Sequence, residues 1–303
     1  MSLEDERRIT VAIIQPAAWG SPASFDADAN RARLLGLIER ACEEHRPDLV
    51  GLPEIASAPY FCGSHDPRYW ELAEPVPGPT TDAVGALAAR HGCTVLGGIF
   101  EKGEVEGEYY GSCFCVGPDG RTVPARIPDG RTFPAARKIH IPTVYAKGMA
   151  TDEKYWFRPA QGISTFDTAV GRIGILICYD RSFPEAWRTL VLQGADAVFV
   201  PVASNGFREE LFLAELRTRA NENGIWALAS NRAGVEAVEG VEVCMFGTSC
   251  IVDPSGEVVA RGSSGSEGRG DEIVVAEIDL AEVARQRVRV PFLRDRRPEV
   301  YVL

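Results

Sequence analysis

Gly171-Arg172-Ile173-Gly174-Ile175-Leu176-Ile177-Cys178-Tyr179-Asp180-Arg181-Ser182-Phe183-Pro184-Glu185 runs an apolar segment straight into a helix start, with one cysteine between the two. Ile173 to Ile177 has the length and branched content of a strand buried on both faces. Pro184 falls in the first turn of the helical stretch that follows, and Ser182 with Glu185 reads as its capping box. Cys178 therefore sits where a buried strand ends and a helix begins, which is the position of a nucleophile. Helix-terminal N–H groups favour a thiolate and can donate to an oxyanion, the two requirements of acyl transfer through sulfur. Cysteine is otherwise among the most buried residue types, so it is the placement that separates Cys178 from the other cysteines.

The alternation of strand and helix patterns continues outward from this segment. Downstream, the helix extends to Gln193 and is followed by a strand at 197–202, a helix at 209–223 and a strand at 225–229, with Gly194 and Gly224 as helix stops. Upstream, Ile9 to Ile14 reads as a strand, and Leu34, Leu35, Leu37, Ile38, Ala41 and Cys42 recur at the spacing of an amphipathic helix. A strand at 49–52, a helix from about Thr81 to Arg90 stopped by Gly92, and strands at 94–100 and 109–116 follow, with Glu54 just past a strand end. The last third adds a hairpin about Asp253-Pro254-Ser255-Gly256, a strand at 273–278 and a basic tail through Arg294, Arg296 and Arg297. Strands alternating with helices indicate an α/β fold. No linker or low-complexity tract divides the chain, so one domain over 1–303 is expected.

Composition narrows the function. A net charge of -11 argues against nucleic acid or an anionic membrane as partner, since both need a basic surface, and it means that a small anionic substrate would need a local cation. No apolar stretch reaches membrane-spanning length, and the start, Met1 to Arg8, lacks the apolar centre of a signal peptide, so a cytoplasmic protein is expected. Eight scattered cysteines read as reduced thiols. The four histidines, 45, 65, 91 and 140, form no zinc spacing with each other or with cysteine; Cys113 and Cys115 share one face of a strand, and neither a metal nor a cofactor is expected. Pro118-Asp119-Gly120-Arg121-Thr122 recurs as Pro128-Asp129-Gly130-Arg131-Thr132, two Asp-Gly turns that suggest an extended hairpin leading to Lys138.

Four ordered segments then carry a resemblance: Leu52-Pro53-Glu54; Arg137-Lys138-Ile139-His140-Ile141-Pro142; Cys178-Tyr179-Asp180 with Phe183-Pro184-Glu185; and Arg219-Ala220-Asn221-Glu222-Asn223 with Asn231-Arg232-Ala233-Gly234. Together they resemble the nitrilase superfamily of carbon–nitrogen hydrolases over nearly the whole chain. The resemblance implies a four-layer α-β-β-α sandwich and a Glu54, Lys138, Cys178 triad. In it Cys178 is nucleophile, Glu54 the base that takes the thiol proton, and Lys138, with the backbone N–H of Tyr179, the oxyanion partner. Thr151-Asp152-Glu153-Lys154-Tyr155-Trp156-Phe157 resembles the segment bearing a second glutamate that orients lysine and water, which makes Glu153 the fourth catalytic candidate. His140, Trp156 and Phe157 read as structural.

The residue three places after the nucleophile, Arg181, resembles the β-ureidopropionases and N-carbamoyl-D-amino-acid amidohydrolases, in which it holds the substrate carboxylate. Tyr179 and Asn205 are also expected at the substrate. Ala56-Ser57-Ala58-Pro59-Tyr60-Phe61 looks closer to the ureidopropionase and carbamoylputrescine branches. The expectation is cysteine-dependent removal of the carbamoyl group from an N-carbamoyl amino acid, with an ω-amidase or aliphatic amidase, a carbamoylputrescine amidase, or a catalytically silent ligand-binding relative as alternatives. Subunits of the superfamily pair through helices beside the nucleophile and through C-terminal tails, so a homo-oligomer is expected, with about 281–303 at a subunit interface.

Overall fold

The computed structural model describes residues 6–18, 26–146, 149–238, 241–265 and 270–301. Two β-sheets stack face to face with helices on both outer faces, the four-layer α-β-β-α sandwich expected from the resemblance. The first sheet runs Glu272–Asp279, Arg8–Gln15, Leu49–Gly51, Thr94–Lys102, Tyr109–Val116 and Ala136–Arg137. The second runs Val258–Arg261, Cys250–Val252, Trp226–Ser230, Ala197–Pro201, Gly171–Ile175, Thr165–Thr168, Ala125–Arg126 and Thr132–Phe133. The centre of each sheet is parallel: Val11, Leu49 and Thr94 are in register in the first, and Ile173, Ala197 and Trp226 in the second.

Period-two alternation decides what faces what. Val11 and Ile13 point into the core between the sheets while Ala12 and Ile14 point out against Leu34, Ile38 and Val84 of the helices Ala27–His45 and Pro79–His91. Ala197 and Phe199 face inward, and Val198 and Val200 pack under Trp187, Leu190, Phe212 and Leu216 of the helices Pro184–Leu192 and Glu209–Asn223. Cys113 and Cys115 share the inward face of their strand. Full burial of each such large apolar side chain contributes about 1.5–3 kcal/mol. All eight cysteines are free thiols, and no helix among the described residues is long and apolar enough to cross a membrane.

Two local readings are corrected. Ser182 and Glu185 form no capping box: Cys178–Ser182 closes a separate 3-10 turn, the helix starts at Pro184 after Phe183, and the Ser182 hydroxyl donates to Glu215 at 3.0 Å. The cause is Asp180, which accepts from the N–H of Ile177 within the turn and of His140 on another segment, holding the chain tight before the helix can begin. The duplicated Pro-Asp-Gly-Arg-Thr segments make two turns, not one extended hairpin. The first closes the end of Tyr109–Val116, with the Gly117 N–H on the Arg121 carbonyl, and the second joins Ala125–Arg126 to Thr132–Phe133 in the other sheet. In each copy the aspartate accepts the N–H two residues on, Asp119 from Arg121 and Asp129 from Arg131, so the same local chemistry serves both sheets. The helix 79–91 begins two residues earlier than its pattern suggests, because Pro79 suits a first turn and the Thr81 hydroxyl accepts the Gly78 N–H.

Candidate active site

Parallel strands leave their C-terminal ends at one edge of each sheet, and loops from both sheets meet there. Glu54 follows the strand 49–51, Cys178 the strand 171–175, Ala203 to Asn205 the strand 197–201, and Asn231 with Arg232 the strand 226–230. Lys138 follows the edge strand Ala136–Arg137 of the first sheet, and Glu153 opens the single helical turn Glu153–Trp156. The loop bearing Glu54 lies against the neighbouring strand so closely that only glycine fits: a Cβ on Gly98 would stand 2.4 Å from Glu54 Cα.

Three charges lie together out of water. Lys138 is fully buried, and its Nζ donates to Glu54 Oε1 at 2.7 Å and to Glu153 Oε2. Glu54 Oε2 accepts the Ala203 N–H at 2.9 Å, and Glu153 Oε1 accepts from the Tyr60 hydroxyl at 2.9 Å. Every carboxylate oxygen of the cluster thus has a donor, which is what lets charge persist in a dry interior. The two carboxylates hold the Lys138 ammonium charged well above its ordinary range against its burial. Burial, opposed by Lys138 and reinforced by Glu54, pushes the Glu153 carboxyl up to about 7. An ammonium has three protons, and two are committed to Glu54 and Glu153.

Cys178 is half-buried at the floor of a pocket lined also by Tyr60, Pro142, Val144, Glu153, Tyr179, Arg181, Ser204, Asn205 and Arg208. Burial and then the Glu54 charge push its thiol up to about 11, against the opposing pull of Lys138 and Arg181. At neutral pH the sulfur therefore carries its proton, and attack needs a base. Cys178 has φ of 49°, a left-handed backbone that costs of order 1–3 kcal/mol for a side chain, and opens the 3-10 turn whose first N–H groups lack partners within the turn. Its Sγ is 3.6 Å from the Ser204 hydroxyl.

The structure brings Glu54, Lys138, Glu153 and Cys178 into one site and lines the pocket with Tyr179, Asn205 and Arg181. Arg181 is only 3 % exposed. Its Nη1 donates to the Cys178 carbonyl at 2.7 Å, its Nε lies 3.1 Å from Glu215 Oε2, and its guanidinium sits over the Phe212 ring. Arg208, on the short turn Gly206–Arg208, pairs with the other oxygen of Glu215 at 3.1 Å and is far more exposed. Sequence reasoning missed this second guanidinium and the carboxylate between the two. It missed as well the Asp180 carboxylate, which accepts the backbone N–H of Ile139 and His140 and so ties the Lys138 segment to the Cys178 turn. His140 is structural, bonded to Asp180 through Nδ1 and stacked 3.6 Å from Phe183. Trp156 and Phe157 belong to an aromatic cluster with Phe61 and Phe100. Among the described residues no group of three His, Cys, Asp or Glu side chains is placed to hold a metal ion.

The carbon–nitrogen hydrolase family matches residues 10–288. An N-carbamoylputrescine amidase of Solanum lycopersicum is 30% identical over 98% of this chain and 95% of its own length. A citrullinase of Francisella tularensis is 29% identical over 97% of this chain and 96% of its own. The crystal structure of a carbon–nitrogen hydrolase from Helicobacter pylori superposes with a TM-score of 0.83 at 30% identity, covering 97% of both chains.

Proposed function

The chain belongs to the carbon–nitrogen hydrolase family and is an amidohydrolase, and within that class we propose that it removes the carbamoyl group from an N-carbamoyl amino acid through a Cys178-bound intermediate. The Cys178 thiol gives its proton to Glu54 as sulfur attacks the ureido carbon, and the oxygen takes up negative charge beside the remaining Lys138 proton and the Tyr179 N–H. Glu54 passes the proton to the terminal nitrogen, the C–N bond breaks and ammonia leaves, so that the rest of the substrate is held as a thiocarbamate. Water then gives a proton to Glu54 and its oxygen to the same carbon. Sulfur departs, recovers the proton from Glu54, and the released carbamic acid splits into carbon dioxide and the amino acid. Glu153 holds Lys138 in place from the other side.

The pair of guanidiniums at the pocket supports an anionic substrate end. Among the described residues Arg181 and Arg208 share one carboxylate, Glu215, so two guanidiniums meet one counter-charge in a protein of net charge -11. Among the described lining residues the only carboxylate is Glu153, already committed to Lys138, so none of them offers a free counter-charge to an ammonium end such as that of carbamoylputrescine. Because Arg181 is nearly enclosed and paired, the more exposed Arg208 is the guanidinium that meets the substrate, with Arg181 setting its partner Glu215. Ammonia and carbon dioxide release from N-carbamoyl amino acids, N-carbamoylputrescine and a plain ω-amide tests the reading. N-carbamoyl amino acids are expected to be turned over best, with Arg208→Ala raising their KM about 10- to 100-fold and leaving neutral amides nearly unchanged. Preference for the plain amide, or for carbamoylputrescine, would overturn it.

As in the superfamily, two copies pair through the helices 184–192 and 209–223 and the C-terminal tail. Leu192, Leu211, Val288 and Phe292 stand exposed there, and Arg188 Nη1 and Arg287 Nη2 are enclosed with no hydrogen-bond partner among the described residues.

A further inference from the structure

Asn231-Arg232-Ala233-Gly234, one of the segments that carried the resemblance, supplies neither nucleophile, base nor oxyanion donor, yet it is among the most deeply enclosed polar stretches of the chain. Arg232 is wholly buried although it is among the largest side chains in the protein. Its Nη2 donates to the carbonyls of Glu54 at 2.6 Å and Ile55 at 2.8 Å, and its Nη1 to the carbonyl of Ala58 at 3.1 Å and to Glu236 Oε1 at 2.7 Å. The other Glu236 oxygen accepts the Tyr60 N–H at 2.7 Å. One guanidinium and its counter-ion thus grip the loop from Glu54 to Tyr60 by four of its backbone groups. That loop needs gripping: Ile55 has φ of 49°, a conformation that a β-branched residue adopts only when the surroundings impose it. Both ends of the loop carry the site, Glu54 at one end and Tyr60, which donates to Glu153, at the other. Asn231 does the same for the facing loop, accepting the Ser204 N–H at 3.0 Å and donating to the Ser204 carbonyl at 3.2 Å.

We propose that Arg232 is a positioning residue that, paired with Glu236, holds the strained Glu54–Tyr60 loop so that the Glu54 carboxylate is aimed at both the Cys178 thiol and Lys138. The inference rests on the reading of Glu54 as general base. A planar guanidinium can serve three carbonyls and a carboxylate at once; an ammonium keeps the charge but not the fork. Loss of the grip therefore displaces the base without emptying the pocket, and misplacement by about 1 Å can cost about 10²-fold.

The experiment is a cycle of Arg232→Lys, Glu54→Gln and the double variant, each with a thermal melt, kcat and KM for the best N-carbamoyl amino acid. Arg232→Lys is expected to melt as a folded protein, to lose about 10- to 100-fold in kcat and to keep KM within about 3-fold of the parent. The double variant is expected to be no slower than Glu54→Gln alone, because an arginine that acts only through Glu54 has nothing left to position. Parental kcat in Arg232→Lys, or losses that multiply in the double variant, would overturn the proposal. Should Arg232→Lys not fold, the same cycle run with Glu236→Gln, which leaves the arginine in place, decides it by the same outcomes. Parental kcat in Glu54→Gln would instead overturn the assignment of the base itself, and the proposal with it.

Discussion

The slab between the two sheets and the cluster around Lys138 are equally dry, and they are held together by opposite means. In the slab, Val11, Ile13, Ile173, Phe199 and Leu228 contribute area and shape, and each touches neighbours that could be satisfied by other apolar side chains of similar volume. In the cluster, Glu54, Lys138 and Glu153 each depend on a named partner at hydrogen-bond distance, and removing one leaves the others charged with nowhere to put the charge. Burial alone therefore says little about what a position tolerates. A dry apolar site constrains volume, and a dry charged site constrains identity.

The comparison is most severely tested at the boundary of the two, where Cys178 packs against both apolar cores yet opens into the pocket. Cys178→Ala should lose about 10⁴-fold or more in kcat while its melt shifts by no more than the roughly 0.5–3 kcal/mol usual for a single change; residual turnover near the parental rate would remove the covalent mechanism. Next come two truncations of equally enclosed side chains. Lys138→Met leaves two buried carboxylates facing each other and should cost about 3–5 kcal/mol of stability as well as about 10²- to 10³-fold in kcat. Leu228→Ala in the slab should cost a similar 2–5 kcal/mol, yet the folded fraction should turn over at the parental kcat, since only a cavity is made. Equal losses of kcat per folded molecule in both variants would erase the distinction drawn here.

A smaller effect sharpens it. The Cys178 thiol is raised to about 11, and the Glu54 charge is one of the causes. Alkylation by neutral iodoacetamide, followed on the Cys178 peptide, should keep rising with pH toward 11 instead of levelling near 9. In Glu54→Gln a repelling negative charge is gone while the Lys138 ammonium stays, so the midpoint should move to lower pH. A midpoint that stays or rises would mean that Glu54 does not act on the sulfur through charge.

Periodicity and punctuation made much of the fold legible. The strands Tyr109–Val116 and the helix Glu209–Asn223 were readable to the residue, because apolar alternation and a glycine stop report directly on which face is buried. Cys178 was legible from its placement between a strand and a helix, and Glu54, Lys138 and Glu153 from segments that resemble the family; they meet because strand ends in a parallel sheet converge. Contacts between loops were not. Arg181 reads as a free cation until Glu215, 34 residues on, is found against it. Ser182 reads as a cap until Asp180 draws the turn toward His140.

By its residue pattern alone the chain determines that strands and helices alternate, that each strand has an inward and an outward face, and that one cysteine stands at a strand end; Glu54 and Lys138 in earlier segments were singled out by the family resemblance. Only the tertiary structure decides which backbone groups those loops offer to one another. Arg232 shows the reason: its partners Glu54, Ile55 and Ala58 lie 178, 177 and 174 residues away. No local propensity records a hydrogen bond of that range; it exists because two stacked sheets bring their strand ends to the same edge, where buried backbone carbonyls must find a donor and a side chain from the opposite sheet supplies one.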